Sequence, residues 1–322
     1  MKVLGRTILG CLAMIAASTE FASGETYPSR PVSVIVPFAA GGTVDIMGRI
    51  AAEALQDAFK ESFVVSNRTG AGGVIGNTAV ARSAPDGHTL LLAPTAFSIV
   101  PFIYKSLPYD PRRDFKPISL LGYTANVMVV SPSLNVKTVQ EFITLAKSGA
   151  KPITYASPGV GTPQHLFVEY FASLTGVKMQ HVPYAGSAPA LVGIMAGDVS
   201  MMFADLAPAI PLIETGKLTA LGVLTPERHR SLPDVPAVAE TTPGFSGVGW
   251  QGLFAKAGTP DAVIETLNRA LVAFLKTPAA ADRMRAVGVD VTWSSPQETE
   301  AWVARQLDQF EKIVPAAGIK PE

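Results

Sequence analysis

From Arg30 onward, short β-branched and apolar runs alternate with longer stretches whose apolar positions recur every three or four residues. That alternation predicts βαβ units, an α/β chain built on largely parallel sheet. The first unit is a strand at 32–36, a glycine turn and a helix from about Thr43. In that helix Met47, Ile50, Ala51, Ala54, Leu55 and Ala58 keep the i, i+3, i+4 spacing of a sheet-packed face. A strand at 63–65, a turn at 68–73 and a helix at 74–82 repeat the unit, and a third strand at 89–93 follows Pro85-Asp86-Gly87.

A proline- and charge-rich segment, 107–117, precedes an apolar stretch at 118–130 that carries the chain into a second domain near Ala125. Strands are expected there at 153–156, 179–183, 199–203 and 218–224, with helices starting near Pro163, Ser187 and Pro208. The proline-rich connection 226–243 suggests a return, and two amphipathic helices, 260–276 and 296–314, close the chain. Trp302, Val303, Leu307, Phe310 and Val314 form one stripe on the last helix, read as core because the opposite face carries mixed charge. The organisation expected is a leader at 1–24, one domain of 25–124 plus 248–322, and a second of 125–247.

Composition agrees with two packed domains: 322 residues, 48% hydrophobic and 16% charged, exclude a disordered scaffold. With 26 basic and 26 acidic side chains there is no surplus to neutralise a phosphate backbone, so nucleic acid is not an expected partner. Lys2 and Arg6 before the apolar run Thr7–Ala17, then Ala22-Ser23-Gly24, read as a secretory leader cut near Gly24. Its removal takes away Cys11, the only cysteine, and leaves an exported, periplasmic chain without disulfide or thiolate. Lipidation of Cys11 is the lesser alternative, since that residue lies inside the apolar run and not after it.

Four strand-to-helix turns carry the candidate chemistry: Ala39–Gly42, Gly70–Gly73, Gly159–Thr162 and Ala185–Ser187. Glycines close tight turns, and they also let an anion approach the free N–H groups and positive dipole of a helix start. Two such turns in each domain would make a cleft for a small anion. Asp45 either caps its helix or accepts a hydrogen bond from a ligand amine or hydroxyl. Thr162 and Ser187 either cap helices or reach a carboxylate, and His165 is either structural or an anion donor. Asp205 either reads the far end of a ligand or caps the helix near Pro208. Gly70-x-Gly72 lacks the third glycine of a dinucleotide fingerprint, no histidine or carboxylate pair has metal spacing, and there is no nucleophile elbow or P-loop. No cofactor and no bound metal are expected.

The pieces Tyr27-Pro28-x-Arg30-Pro31, Val36-Pro37-Phe38-Ala39-Ala40-Gly41-Gly42-x-x-Asp45, Asn67-Arg68-x-Gly70-Ala71-Gly72-Gly73, Pro85-Asp86-Gly87, Leu107-Pro108-Tyr109-Asp110, Gly161-Thr162-x-x-His165-Leu166, Val182-Pro183-Tyr184 and Leu232-Pro233-Asp234-Val235-Pro236 occur in this order. Together they resemble the Bug family, the extracytoplasmic solute receptors of tripartite tricarboxylate transporters, over essentially all of the mature chain. The resemblance implies a two-domain periplasmic-binding-protein-like fold that closes on a small mono-, di- or tricarboxylate, amino acids and aromatic acids included, and delivers it to membrane transporter subunits. It implies no catalysis. A monomer is expected.

The resemblance also implies that backbone amides of the first two glycine turns hold the carboxylate, here Ala40, Gly41, Gly42, Ala71, Gly72 and Gly73. Asp45 stands beside them, and the second domain adds Ser157, Gly161, Thr162, His165, Gly186, Ser187 and Asp205. Thr69, His88 and Ala185 depart from residues common in the family, and Ala185 replaces a lysine, which points toward a monocarboxylate or toward binding by amides alone. A ligand-loaded sensor for a periplasmic signalling domain is the alternative function, and an exported enzyme a more distant one.

Overall fold

The computed structural model describes residues 27–321, so the expected leader, with Cys11, lies outside the described residues. The chain begins as read: strand β1 (Val32–Val36), helix α1 (Thr43–Phe59), β2 (Phe63–Asn67), α2 (Val74–Ala81) and β3 (Thr89–Pro94). Then come α3 (Ala96–Ile103), β4 (Phe115–Thr124), β5 (Asn126–Val130) and α4 (Val139–Ser148). After them follow β6 (Thr154–Ser157), α5 (Pro163–Thr175), β7 (Gln180–Pro183), α6 (Ser187–Ala196), β8 (Met201–Asp205), α7 (Leu206–Glu214) and β9 (Thr219–Val223). The short α8 (Val238–Thr241), β10 (Gly249–Lys256), α9 (Asp261–Leu275), α10 (Pro278–Arg285), β11 (Asp290–Val291) and α11 (Pro296–Ala316) complete it.

The strands form two sheets, β11-β4-β10-β3-β1-β2 and β7-β6-β8-β5-β9, and the chain passes from one to the other at Ala125. The α/β architecture of two helix-flanked sheets forms as expected. In each sheet most strands run one way, but the strand beside the parallel trio comes from a distant part of the chain and runs against it: β10 beside β3 and β5 beside β8. β10 comes from β9 of the other sheet by a long connection and β5 follows β4 after the single residue Ala125, so neither enters its sheet by a helix crossover from a strand of that sheet.

Both sheets are buried on both faces. Val34, Met47, Leu90 and Leu267 lie on one side of the first and Leu91, Phe97 and Phe254 on the other, while Tyr155 and Phe171 oppose Ala156 and Ile194 about the second. The stripe on α11 is core: Val303 and Leu307 join the first sheet's cluster, and Phe310, Ile313 and Val314 join the second's. A helix of this length spans about 31 Å at 1.5 Å per residue, enough to tie both lobes together. On the same side His229 Nε2 and an Arg230 Nη each lie 2.6 Å from Asp290, an ion-paired contact between the returning segment and β11.

Close packing at Gly76 fixes how the first two turns sit together. A Cβ there would stand 2.8 Å from Pro37 Cβ and 2.9 Å from both Arg68 O and Pro37 Cα, two of them backbone atoms that cannot rotate away. We expect Gly76→Ala to lower stability by about 1–3 kcal/mol through overpacking. In urea unfolding this should appear as a lower midpoint at unchanged slope.

Candidate functional site

The two lobes repeat one arrangement. The order β2-β1-β3 with α1 and α2 in its crossovers is matched by β7-β6-β8 with α5 and α6 in theirs, all parallel. The carboxyl ends of these strands therefore feed glycine turns into helix starts, where open α/β sheets gather ligands.

In the first turn Gly41 takes φ +85°, and its N–H donates to Asp45 Oδ2 at 2.9 Å. Arg49 Nε donates to the same oxygen and Asn67 Nδ2 to Oδ1, each at 2.9 Å, while Asn67 also donates to Phe38 O. Asp45 is 2% exposed. Burial alone would raise its pKa, but hydrogen bonds from Arg49, the Gly41 amide and Asn67, with the Arg49 charge, bring it down to about 2. Both carboxylate oxygens are thus spent on the turn, and Asp45 acts as its strut.

Helix α1 starts from Gly42, in extended backbone (φ −81°, ψ 167°), with no side-chain cap on its first N–H groups. The second turn is a left-handed run: Gly70, Ala71, Gly72 and Gly73 all have positive φ. An alanine there costs about 1–2 kcal/mol, and such strain tends to be kept where function requires the shape. Gly73 caps α2, again without a side-chain oxygen. By contrast Thr138, Thr277 and Ser295 cap α4, α10 and α11 with their hydroxyls. Ala40, Gly41, Gly42, Ala71 and Gly72 are exposed.

The second lobe uses the same device. Gly161, at φ +76°, donates its N–H to His165 Nδ1 at 3.1 Å, four residues on, as Gly41 does to Asp45. His165 is 3% exposed and stacks on His181 with ring centroids 4.0 Å apart. Burial, reinforced by the neighbouring His181, lowers its pKa to about 4, so the ring is neutral with its proton on Nε2. Thr162 Oγ1 donates to Gly159 O and caps α5, while Ser157 Oγ bonds Gly159 and lies 2.6 Å from His181 Nε2. His165, Thr162 and Ser157 therefore brace this turn. His181, scattered in the sequence, belongs to the brace. Gly186 starts α6 without a side-chain cap.

Asp205 ends β8 and accepts from Gln164 Nε2 at 2.8 Å and from Ser187 Oγ at 3.4 Å. Burial raises its pKa, and those two hydrogen bonds offset the rise only in part. It lines a cavity of about 250 Å³ between the sheets, together with Phe38, Thr95, Asn126, Gln164 and Gln251. Of the residues expected at the site, Asp205 alone lines this cavity; the rest lie in the turns just described. Thr95, Asn126, Gln164 and Gln251 were not expected. Thr95 immediately precedes α3 as Asp205 immediately precedes α7, a correspondence visible only once the repeat is seen. Among the described residues no group of three or more His, Cys, Asp or Glu side chains gathers to hold a metal, and no helix is long and apolar enough to cross a membrane.

The family model of the tripartite tricarboxylate transporter family receptor matches residues 47–319. Protein BugT of Bordetella pertussis is 34% identical over 318 residues, covering 97% of each chain. A solved structure of an R. palustris protein with adipate is 32% identical and superposes with a TM-score of 0.73 over 92% of this chain and 100% of that one. A TctC solute binding protein from Polaromonas, solved with no ligand, is 29% identical but superposes better, at 0.83 over 90% of this chain and 99% of that one.

Proposed function

Because the chain belongs to the tripartite tricarboxylate transporter receptor family of periplasmic solute-binding proteins, we propose that it captures a small carboxylate between its lobes and presents it to membrane transporter subunits. The lobes are 25–124 with 248–322, and 125–247, and the exported chain is a monomer freed of its leader near Gly24. The observation that carries this reading is the pair of helices α1 and α2, which start from glycines without side-chain caps next to turns whose shape is braced independently of any ligand. The α1 start presents oriented N–H groups and roughly half a positive charge, and the α2 start adds its dipole although its Gly73 and Val74 N–H groups already bond to Gly70 O and Ala71 O, so a carboxylate is held without a side-chain cation.

Adipate in the R. palustris relative supports the ligand class. The better superposition on the ligand-free Polaromonas structure supports reading the present conformation as the open one, from which the lobes close by a hinge at Ala125 and the return strand. Binding to the folded state alone raises stability by about 2.7 kcal/mol at 100 times the dissociation constant. A thermal-shift screen of mono-, di- and tricarboxylates should therefore give a saturable stabilisation, with one ligand recovered unchanged per chain. Turnover of the ligand, or stabilisation by amines lacking a carboxylate, would contradict the proposal.

A further inference from the structure

The strands that cross between the lobes have a side turned away from the cleft. In the first sheet β4, which leads into β5 at Ala125, and β10, which returns from β9, part the trio β2-β1-β3 from β11 at the outer edge. In the second sheet β5 likewise parts β7-β6-β8 from β9. All four glycine turns leave strands of the two trios, and both lobes face the same cavity there, Thr95 from one and Asp205 from the other. On the opposite side the segment that leaves β9 meets β11. His229, its side chain 10% exposed, and Arg230 bond Asp290, one on each carboxylate oxygen at 2.6 Å. His229 Nδ1 accepts from the Ser231 N–H at 3.1 Å, so Nε2 carries the proton given to Asp290 and the ring needs no charge. A cavity of about 310 Å³ adjoins the contact, walled by Ala207 and Ile210 of α7 and by Arg285 and Gly288 before β11. A Cβ on Gly288 would stand 3.2 Å from Ala207 Cβ, so the lobes touch there as well.

We propose that Asp290, His229 and Arg230 form a latch that sets ligand affinity from outside the cleft by holding the lobes open. The inference rests on the reading above, that a carboxylate is captured by hinge closure from the present, open conformation. A rotation about the crossing strands that narrows the cleft carries the segments beyond them apart, and bonds already at 2.6 Å can then only lengthen. Closure therefore breaks the latch, and the free energy lost is subtracted from binding, because apparent affinity scales with the fraction of closed protein. None of the three residues lines the cleft cavity, so cutting the latch removes no contact with a molecule held there. The Arg230 side chain is 53% exposed, which keeps its share of the effect small.

Calorimetric titration with adipate, and with each mono-, di- or tricarboxylate that stabilises the wild type, tests this. Asp290→Ala should bind about three- to ten-fold more tightly than wild type, and Arg230→Ala, a change at a half-exposed side chain that leaves the fold intact, about two-fold more tightly. A reversible lock should act with the opposite sign. With Cys11 replaced by serine, Ala207→Cys combined with Gly288→Cys brings two thiols within bridging reach behind the crossing strands. Oxidised, that protein should bind at least about ten-fold more weakly than the same protein reduced. Unchanged or weaker binding in the folded single variants, or equal affinity of the oxidised and reduced lock, would overturn the latch and leave carboxylate capture standing. Failure of every carboxylate to bind any of these proteins would overturn the carboxylate reading, and the latch with it.

Discussion

Gly42→Val should abolish ligand binding, weakening it by a factor of about one hundred or more, while leaving a folded protein. The position tolerates a side chain: its backbone is extended, and a Cβ would find only Ala39 O, at 3.8 Å, within 4 Å. Loss of a glycine N-cap costs folding about 1 kcal/mol or less. Binding suffers far more because an isopropyl group at the helix start holds a carboxylate away from the amides, and a hydrogen bond stretched by an ångström or more is no longer one. The neighbouring glycines make poorer tests. Gly41 and Gly72 have positive φ, and at Gly72 a Cβ would also press on Val100 at 3.3 Å, so valine there would strain the turn and block it together. Equal affinity of wild type and Gly42→Val for the same carboxylate would remove α1 from the binding site.

Asp45→Ala should cost about 2–4 kcal/mol of stability and, separately, loosen binding by ten-fold or more. The substitution removes the buried carboxylate that accepts from the Gly41 N–H, Arg49 and Asn67, and hydrogen bonds to a charged group contribute about 1.5–3 kcal/mol. Since Gly41 directly precedes the cap of α1, the same change releases the turn that aims the helix start. The carboxylate also sets an acid limit. Its pKa is about 2 in the folded protein against 3.8 in the unfolded chain, so it stabilises the fold fully above pH 3.8 and less as pH falls toward 2. The difference is worth about 2 kcal/mol. Urea midpoints between pH 6 and 2.5 should fall less steeply in Asp45→Ala than in wild type; parallel curves would show that Asp45 carries no such linkage.

The parts of the fold legible in the sequence are those whose signal is local. Val32–Val36, the stripe of α1 and the stripe of α11 have a period and a turn on either side, and each forms where the pattern places it. Central strand β10 is buried along nearly its whole length and broken by Gly249 and Gly252, so it shows neither alternation nor a β-branched run. Helix α3 is apolar but for the buried Ser98 and contains Pro101, which hides any face. Helix α4 went unread although Thr138-x-x-Glu141 is a capping signal, and the Thr138 hydroxyl does accept from Glu141 N.

The site divides in the same way. Glycine turns are visible because glycine marks unusual backbone. That Asp45 and His165 serve the turns, each by taking a glycine N–H four residues back, depends on side-chain directions that spacing does not specify. Gln251 and Asn126 meet Asp205 only because β10 and β5 occupy matching antiparallel places in their sheets.

A carboxylate should draw the lobes together. Cys11 is the chain's only cysteine, so a C11S background accepts spin labels solely at V64C on β2 and V192C on α6, residues 57% and 59% exposed on different lobes. Distances between these labels, measured by pulsed electron resonance without and with the tightest carboxylate of the screen, should shift from a longer to a shorter population in proportion to occupancy. A distance distribution unmoved at saturating ligand would contradict closure.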